Sequence, residues 1–143
     1  MTIEETLANV EIFSELPQRD LARLARVTRV RDFKKGDVIV REGELGVAFY
    51  VVASGRAEAV KDLGTPHERV LASFGPNDFF GEMALFDNQV RSTSVRASED
   101  TRCYVLTKWD FNAELMGPNT RVASALLAIL ARRIRQLNDA ATN

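Results

Sequence analysis

The sequence predicts a mainly β domain of the α+β class, a small antiparallel barrel or roll with helices on either side. Three observations predict it. Apolar residues recur at helical spacing up to about residue 28. Short apolar runs separated by glycine and proline turns fill residues 29–106. A long apolar stripe at helical spacing then follows. The 143 residues suit one domain, 1–143, able to bury a core without disulfides.

Leu7, Val10 and the Ile12–Phe13 pair form the first apolar face. Leu16–Pro17 breaks it, and Leu21, Leu24, Ala25 and Val27 resume it, so helices are expected over about 3–28. Val38–Val40 follows the turn Lys35-Gly36-Asp37, and Phe49–Val52 stands between Gly46 and Gly55. Arg56–Lys61 alternates charged and small residues. Val70–Phe74 follows the turn at Pro66, and Ser92–Arg96 and Arg102–Leu106 complete the strands. Strands this short and evenly spaced suit a small barrel or roll.

Helices are expected again over about 108–139. Trp109–Leu115 reads as a short helix, packed on the roll by Trp109 and stopped at Met116-Gly117-Pro118. Arg121 to about Asp139 reads as a long one, roughly 28 Å. Val122, Leu126, Ile129, Leu130, Ile134 and Leu137 form its stripe, which suits burial on the roll or a seam between two copies.

Composition excludes several functions. With 19 basic and 20 acidic residues the net charge is -1, which argues against a general nucleic-acid binder. No apolar run approaches the roughly 20 residues a membrane helix needs. The N-terminus has no signal-like core, and the lone Cys103 forbids an internal disulfide, so a reducing cytoplasm is the expected location. Cys103, flanked by Tyr104, Val105 and Leu106, reads as a buried structural thiol. One His and one Cys argue against a zinc site, so no metal is expected. His67 sits in a polar turn without evident orienting neighbours, so no catalytic residue is assigned.

One segment carries chemistry: Phe79-Phe80-Gly81-Glu82-Met83-Ala84-Leu85, a polar loop, then Arg91-Ser92-Thr93-Ser94-Val95-Arg96-Ala97. A phosphate needs a guanidinium fork with N–H and O–H donors nearby, and Arg91, Ser92 and Thr93 supply them. The first N–H groups of a helical turn near Gly81 add donors. A side chain at Gly81 would hold an anion off the backbone. Glu82 is a strong acceptor for a sugar hydroxyl. The segment therefore suits a sugar phosphate.

This segment resembles the phosphate-binding cassette of the cyclic nucleotide-binding domain family. Phe33-Lys34-Lys35-Gly36-Asp37-Val38-Ile39, Glu42-Gly43-Glu44, Phe49-Tyr50-Val51-Val52, Ser54-Gly55 and Pro76-Asn77-Asp78 resemble its flanks in order. The similarity runs from about Leu7 to Asp139. It implies an antiparallel, jelly-roll-like β-roll with N-terminal helices and a C-terminal lid helix. It also implies a cyclic nucleotide, cAMP or cGMP, with cAMP favoured.

At the matching positions the resemblance implies ligand contacts from Phe80, Gly81, Glu82, Met83, Ala84, Arg91, Ser92 and Thr93. Gly81 and Ala84 would offer backbone N–H or close contact, Glu82 would accept from the ribose 2′-hydroxyl, and Arg91 would pair with the cyclic phosphate. Ser92 would add to the phosphate contacts. Val90 stands where the family often has proline, which removes no ligand contact. For the base, Val51 and Val60, read as neighbouring-strand residues, are apolar walls or plain core. Arg132 or Arg133 would stack through a cation–π contact, and Asn138 would hydrogen-bond an amino group, unless they form a solvated face.

The resemblance leaves three roles. The first is a receptor that signals through its last helix to a protein effector, as a monomer or a weak homodimer through that helix. The second is the sensing half of a transcription regulator, since the sequence given shows no recognition helix after Asp139 and so no nucleic-acid contact of its own. The third is a ligand-free scaffold of the same fold, against which Glu82 and Arg91 speak.

Overall fold

The structure is a computed structural model that describes residues 2–85, 88–115, 127–128 and 130–137. Helix α1 (Ile3–Ala8) starts where the Thr2 hydroxyl accepts from the Glu5 N–H at 3.1 Å, with Glu4 and Glu5 in its first turn. A 3-10 turn (Glu11–Phe13) leads to α2 (Gln18–Val27), which follows Pro17. Eight strands then run from Arg29 to Thr107: β1 (Arg29–Phe33), β2 (Val38–Val40), β3 (Ala48–Ser54), β4 (Ala57–Lys61), β5 (Arg69–Phe74), β6 (Phe79–Phe80), β7 (Ser94–Ala97) and β8 (Thr101–Thr107). A second 3-10 turn (Glu82–Leu85) follows β6, and α3 (Lys108–Leu115) follows β8.

The strands form two four-stranded antiparallel sheets, ordered β1-β8-β3-β6 and β2-β7-β4-β5. This is the predicted antiparallel β-roll with helices before and after it. Side chains alternate across each strand, so β3 serves two cores. Phe49 and Val51 face the helices, where Phe13 and Phe111 are fully buried among Leu7, Leu24 and Leu106. Phe13 meets Phe49 edge-on at 5.6 Å. Tyr50 and Val52 face the second core, between the sheets, with Phe80, Val95 and Cys103. Burial there pushes the Cys103 thiol from 9.0 up to about 12, so it is held as an unreactive neutral thiol, the structural role expected of it.

Three expectations change. Strand β1 lay hidden in the sequence because Arg29-Val30-Arg31-Asp32 is exposed along a sheet edge and shows no buried alternation. Trp109 is 65% exposed, and Phe111, fully buried, packs α3 instead. Residues 127–128 and 130–137 are helical, in the span expected for the long helix, but of the stripe Ile134 and Leu137 are 59% and 70% exposed and Leu130 is half-buried. The stripe is therefore not covered by the roll at Ile134 and Leu137. Val122, Leu126, Ile129 and Asn138 lie outside the described residues. No helix among the described residues is long and apolar enough to cross a membrane.

Candidate functional site

Strand β6 pairs with β3, Tyr50 opposite Phe80, and hands the chain to the Glu82–Leu85 turn through Gly81. Phe80 is locked by stacking on Tyr50 at 5.0 Å and by a tilted contact with Phe74 at 5.2 Å. Gly81 has φ +81°, a left-handed conformation that glycine adopts without penalty. Its missing side chain leaves room for Arg91: a Cβ there would run into Arg91 Nη1 and lie 3.0 Å from the Ala48 carbonyl oxygen.

Arg91 is pinned through its backbone. Its N–H donates to the Glu44 carbonyl at 2.7 Å, and its carbonyl accepts from the Gly43 N–H at 2.9 Å. Its guanidinium turns inward, and Nη2 donates to the Ala48 carbonyl at 2.5 Å. Burial pushes this guanidinium below its ordinary value, while the charges of Tyr50 and Glu82 push the other way. The two key charges therefore feel each other inside one site.

That site is a hollow of ≈ 230 Å³. Glu82, Arg91, Ser92 and Thr93 make its polar side, and Val40, Ala59, Phe74, Phe80 and Val95 its apolar side. Gly81 and Ala84 also line it, so Phe80, Gly81, Glu82, Ala84, Arg91, Ser92 and Thr93 of the cassette come together here, while the Met83 side chain lies outside what the structure describes. One detail departs from expectation: the Ala84 N–H already donates to the Gly81 carbonyl at 3.0 Å.

The base-contact residues fare differently. Val51 and Val60 are not on neighbouring strands, because β3 and β4 belong to different sheets. Both are fully buried, and neither lines the hollow. On β3 the pleat turns Val51 toward the helices. On β4 the lining residue is Ala59, opposite Val95, one residue before Val60 across a bulge.

Arg132 pairs with Glu15. Arg133 Nη1 lies 3.6 Å from Glu82 Oε1, and its Nη2 lies 3.5 Å from Glu11 Oε2. Both arginines thus face carboxylates of the N-terminal segment or the cassette; the sequence left them as base-stacking residues or a solvated face, and Arg132 is exposed.

Sequence reading missed Val40, Gly46, Ala59, Phe74 and Val95. Gly46 is a space requirement: a Cβ there would meet Arg91 Nε at 3.0 Å and Ala84 Cβ at 3.2 Å. In the sequence Gly46 signalled only the turn before Phe49–Val52. Among the described residues no cluster of His, Cys, Asp and Glu is arranged to hold a metal ion.

A hollow with a half-buried guanidinium, a carboxylate, hydroxyls and an apolar wall can hold an anionic group at one end and an apolar ring at the other. Comparison with known proteins agrees. The family model described as "Cyclic nucleotide-binding domain" matches residues 30–117. The "Cyclic AMP receptor protein" of Thermus thermophilus is 42% identical over 74% of this chain. The "CRP-like cAMP-activated global transcriptional regulator" of Mycobacterium tuberculosis is 28% identical over 96% of it. The chain spans 49% of the first relative's length and 61% of the second's. The crystal structure of the N-terminal domain of a transcriptional regulator from Streptomyces coelicolor superposes with a TM-score of 0.87 at 30% identity, covering 94% of both chains. On fold, cassette and profile alike, the chain belongs to the cyclic nucleotide-binding domain family.

Proposed function

We propose that this chain is a receptor domain that binds cAMP, with Arg91 on the cyclic phosphate and Glu82 on the ribose 2′-hydroxyl. The carrying observation is that Arg91 and Glu82 line one hollow with Ser92 and Thr93, beside an apolar wall. A phosphate oxygen would replace the Ala48 carbonyl as acceptor for the guanidinium, exchanging a neutral partner for a charged one. Gly81, Met83 and Ala84 would lie close beneath the ligand, and Phe80 would brace them. The base would lie toward Ala59, Phe74 and Val95. The Ser92 hydroxyl suits cAMP and also admits cGMP. Ligand pockets usually hold about 300–1,000 Å³, so the hollow would widen as Arg91 leaves Ala48.

Signalling would run through the last helix, inside the cytoplasm, to a protein effector. Glu82 is the shared point, because the carboxylate offered to the ribose also contacts Arg133. A ligand shifts a helix only by contacting its two positions differently, and this shared carboxylate supplies the difference. Saturating cAMP is expected to slow amide exchange over residues 130–137. Unchanged exchange there would refute this route.

A specific observation also favours a weak homodimer. Leu127, Leu130, Ile134 and Leu137 repeat at spacings of three and four, and three of them are well exposed. A sedimentation coefficient rising with protein concentration, and flattened by Ile134→Glu, is the expected result. The dimer would also suit the sensing half of a transcription regulator, which the chain's 61% and 49% spans of its relatives keep as the alternative role.

A further inference from the structure

Helices α1 and α2 flank a shallow, open depression, lined by Thr2, Ile3, Glu4, Arg19, Ala22, Arg23, Ala25 and Arg26, none of which lines the nucleotide site. Its chemistry is lopsided: three arginines line it beside one carboxylate, Glu4. Arg19, Arg23 and Arg26 follow one another at four and three residues along α2, so they project from one helix face. The acid of that helix, Asp20, is fully buried and lines none of the depression. Arg23 is engaged by Glu114 of α3 at 3.0 Å. Arg19 and Arg26 are exposed, and neither has an ion-pair partner among the described residues.

Between the arginines lie Ile3, Ala22 and Ala25, half-buried and apolar. An inorganic anion has no use for such a floor. A nucleic acid needs a longer basic track than one face of a ten-residue helix, about 15 Å, in a chain of net charge -1. A protein segment whose carboxylates flank small apolar side chains matches both features: its acids meet Arg19 and Arg26, and its apolar residues meet the floor.

We infer that this depression is a docking surface for an acidic, amphipathic segment of a partner protein. The inference rests on the reading that the chain signals to a protein effector, and it places that effector's contact. The site has a path to the cassette. Helix α3 packs against both α2 and the Glu82–Leu85 turn, and the Arg23–Glu114 pair ties α3 to the lining of the depression. A shift of the turn on nucleotide binding would reach the arginine face through that helix.

The test uses the full chain and a fluorescein-labelled helical peptide carrying glutamates at i, i+4 and i+7 with alanine and leucine between them. Fluorescence anisotropy at low salt is expected to show saturable binding. The double variant Arg19→Glu, Arg26→Glu is expected to weaken it about tenfold or more. Cyclic AMP calorimetry on the same variant should match the wild type, which shows that the variant folds and separates failure of docking from failure of the receptor reading. A matching peptide with lysine for glutamate is expected not to bind. Absence of acidic-peptide binding, or equal affinity in the double variant, would overturn the proposal. Tighter binding of duplex DNA or anionic vesicles through the same two arginines would also overturn it, by assigning the face to another class of partner.

Discussion

Replacing Arg91 by alanine is expected to weaken cAMP binding at least tenfold, a loss of about 1.4 kcal/mol or more. The side chain is the guanidinium of the hollow, and its charge-assisted bonds to a phosphate exceed what the hydroxyls of Ser92 and Thr93 supply. Its backbone bonds to Gly43 and Glu44 do not depend on the side chain, so the loop should keep its path. The fold loses one bond, to the Ala48 carbonyl, about 1 kcal/mol. Arg91→Lys restores the charge without the fork and should fall between the two. Calorimetry against cAMP, with thermal unfolding of each variant, checks both parts. Wild-type affinity in Arg91→Ala would refute the assigned phosphate contact.

Gly81→Ala is the second large effect. The backbone at this position has φ +81°, where an L side chain costs roughly 1–2 kcal/mol. The added methyl would also overlap Arg91 Nη1 and press on the Ala48 carbonyl oxygen at 3.0 Å, and the carbonyl belongs to a paired strand that yields little. The fork must therefore move, and the space for an anion beside it closes. The variant is expected to lose about 1–2 kcal/mol of stability in urea titration and to bind cAMP at least tenfold more weakly. Unchanged stability and affinity together would show that neither the conformation nor the space matters.

Arg91 and Gly81 show what the sequence discloses. The cassette was legible because its chemistry is local: donors, an acceptor and a glycine within a dozen residues, in an order that the family shares. The roll was legible because turn residues separate short apolar runs. The apolar wall was not, since it is assembled by register across sheets. Ala59 and Val95 meet only because β4 and β7 pair there, and Val60, the next residue along the pleat, does not line the hollow. Strand β1 escaped because an exposed edge needs no apolar alternation. The roles of Arg132 and Arg133 escaped because Glu11, Glu15 and Glu82 lie far from them in the chain, and a helix pattern does not say which carboxylates a helix meets.

Those contacts alter the expected output. Arg133 stands between Glu82 of the cassette and Glu11 of the N-terminal 3-10 turn. Both contacts are long, and exposed ion pairs are worth about 1 kcal/mol or less each, so they bias a helix position without locking it. A weak bias is what a ligand can override, because a ligand moves an equilibrium only by its differential affinity.

Isothermal titration calorimetry of the full chain with cAMP, beside cGMP and a cyclic dinucleotide, tests the central claim most directly. The expected result is saturable heat at one site per chain with cAMP, weaker heat with cGMP, and loss of the cAMP signal in Arg91→Ala. No heat with any of the three nucleotides would contradict the receptor reading and leave the fold as a scaffold.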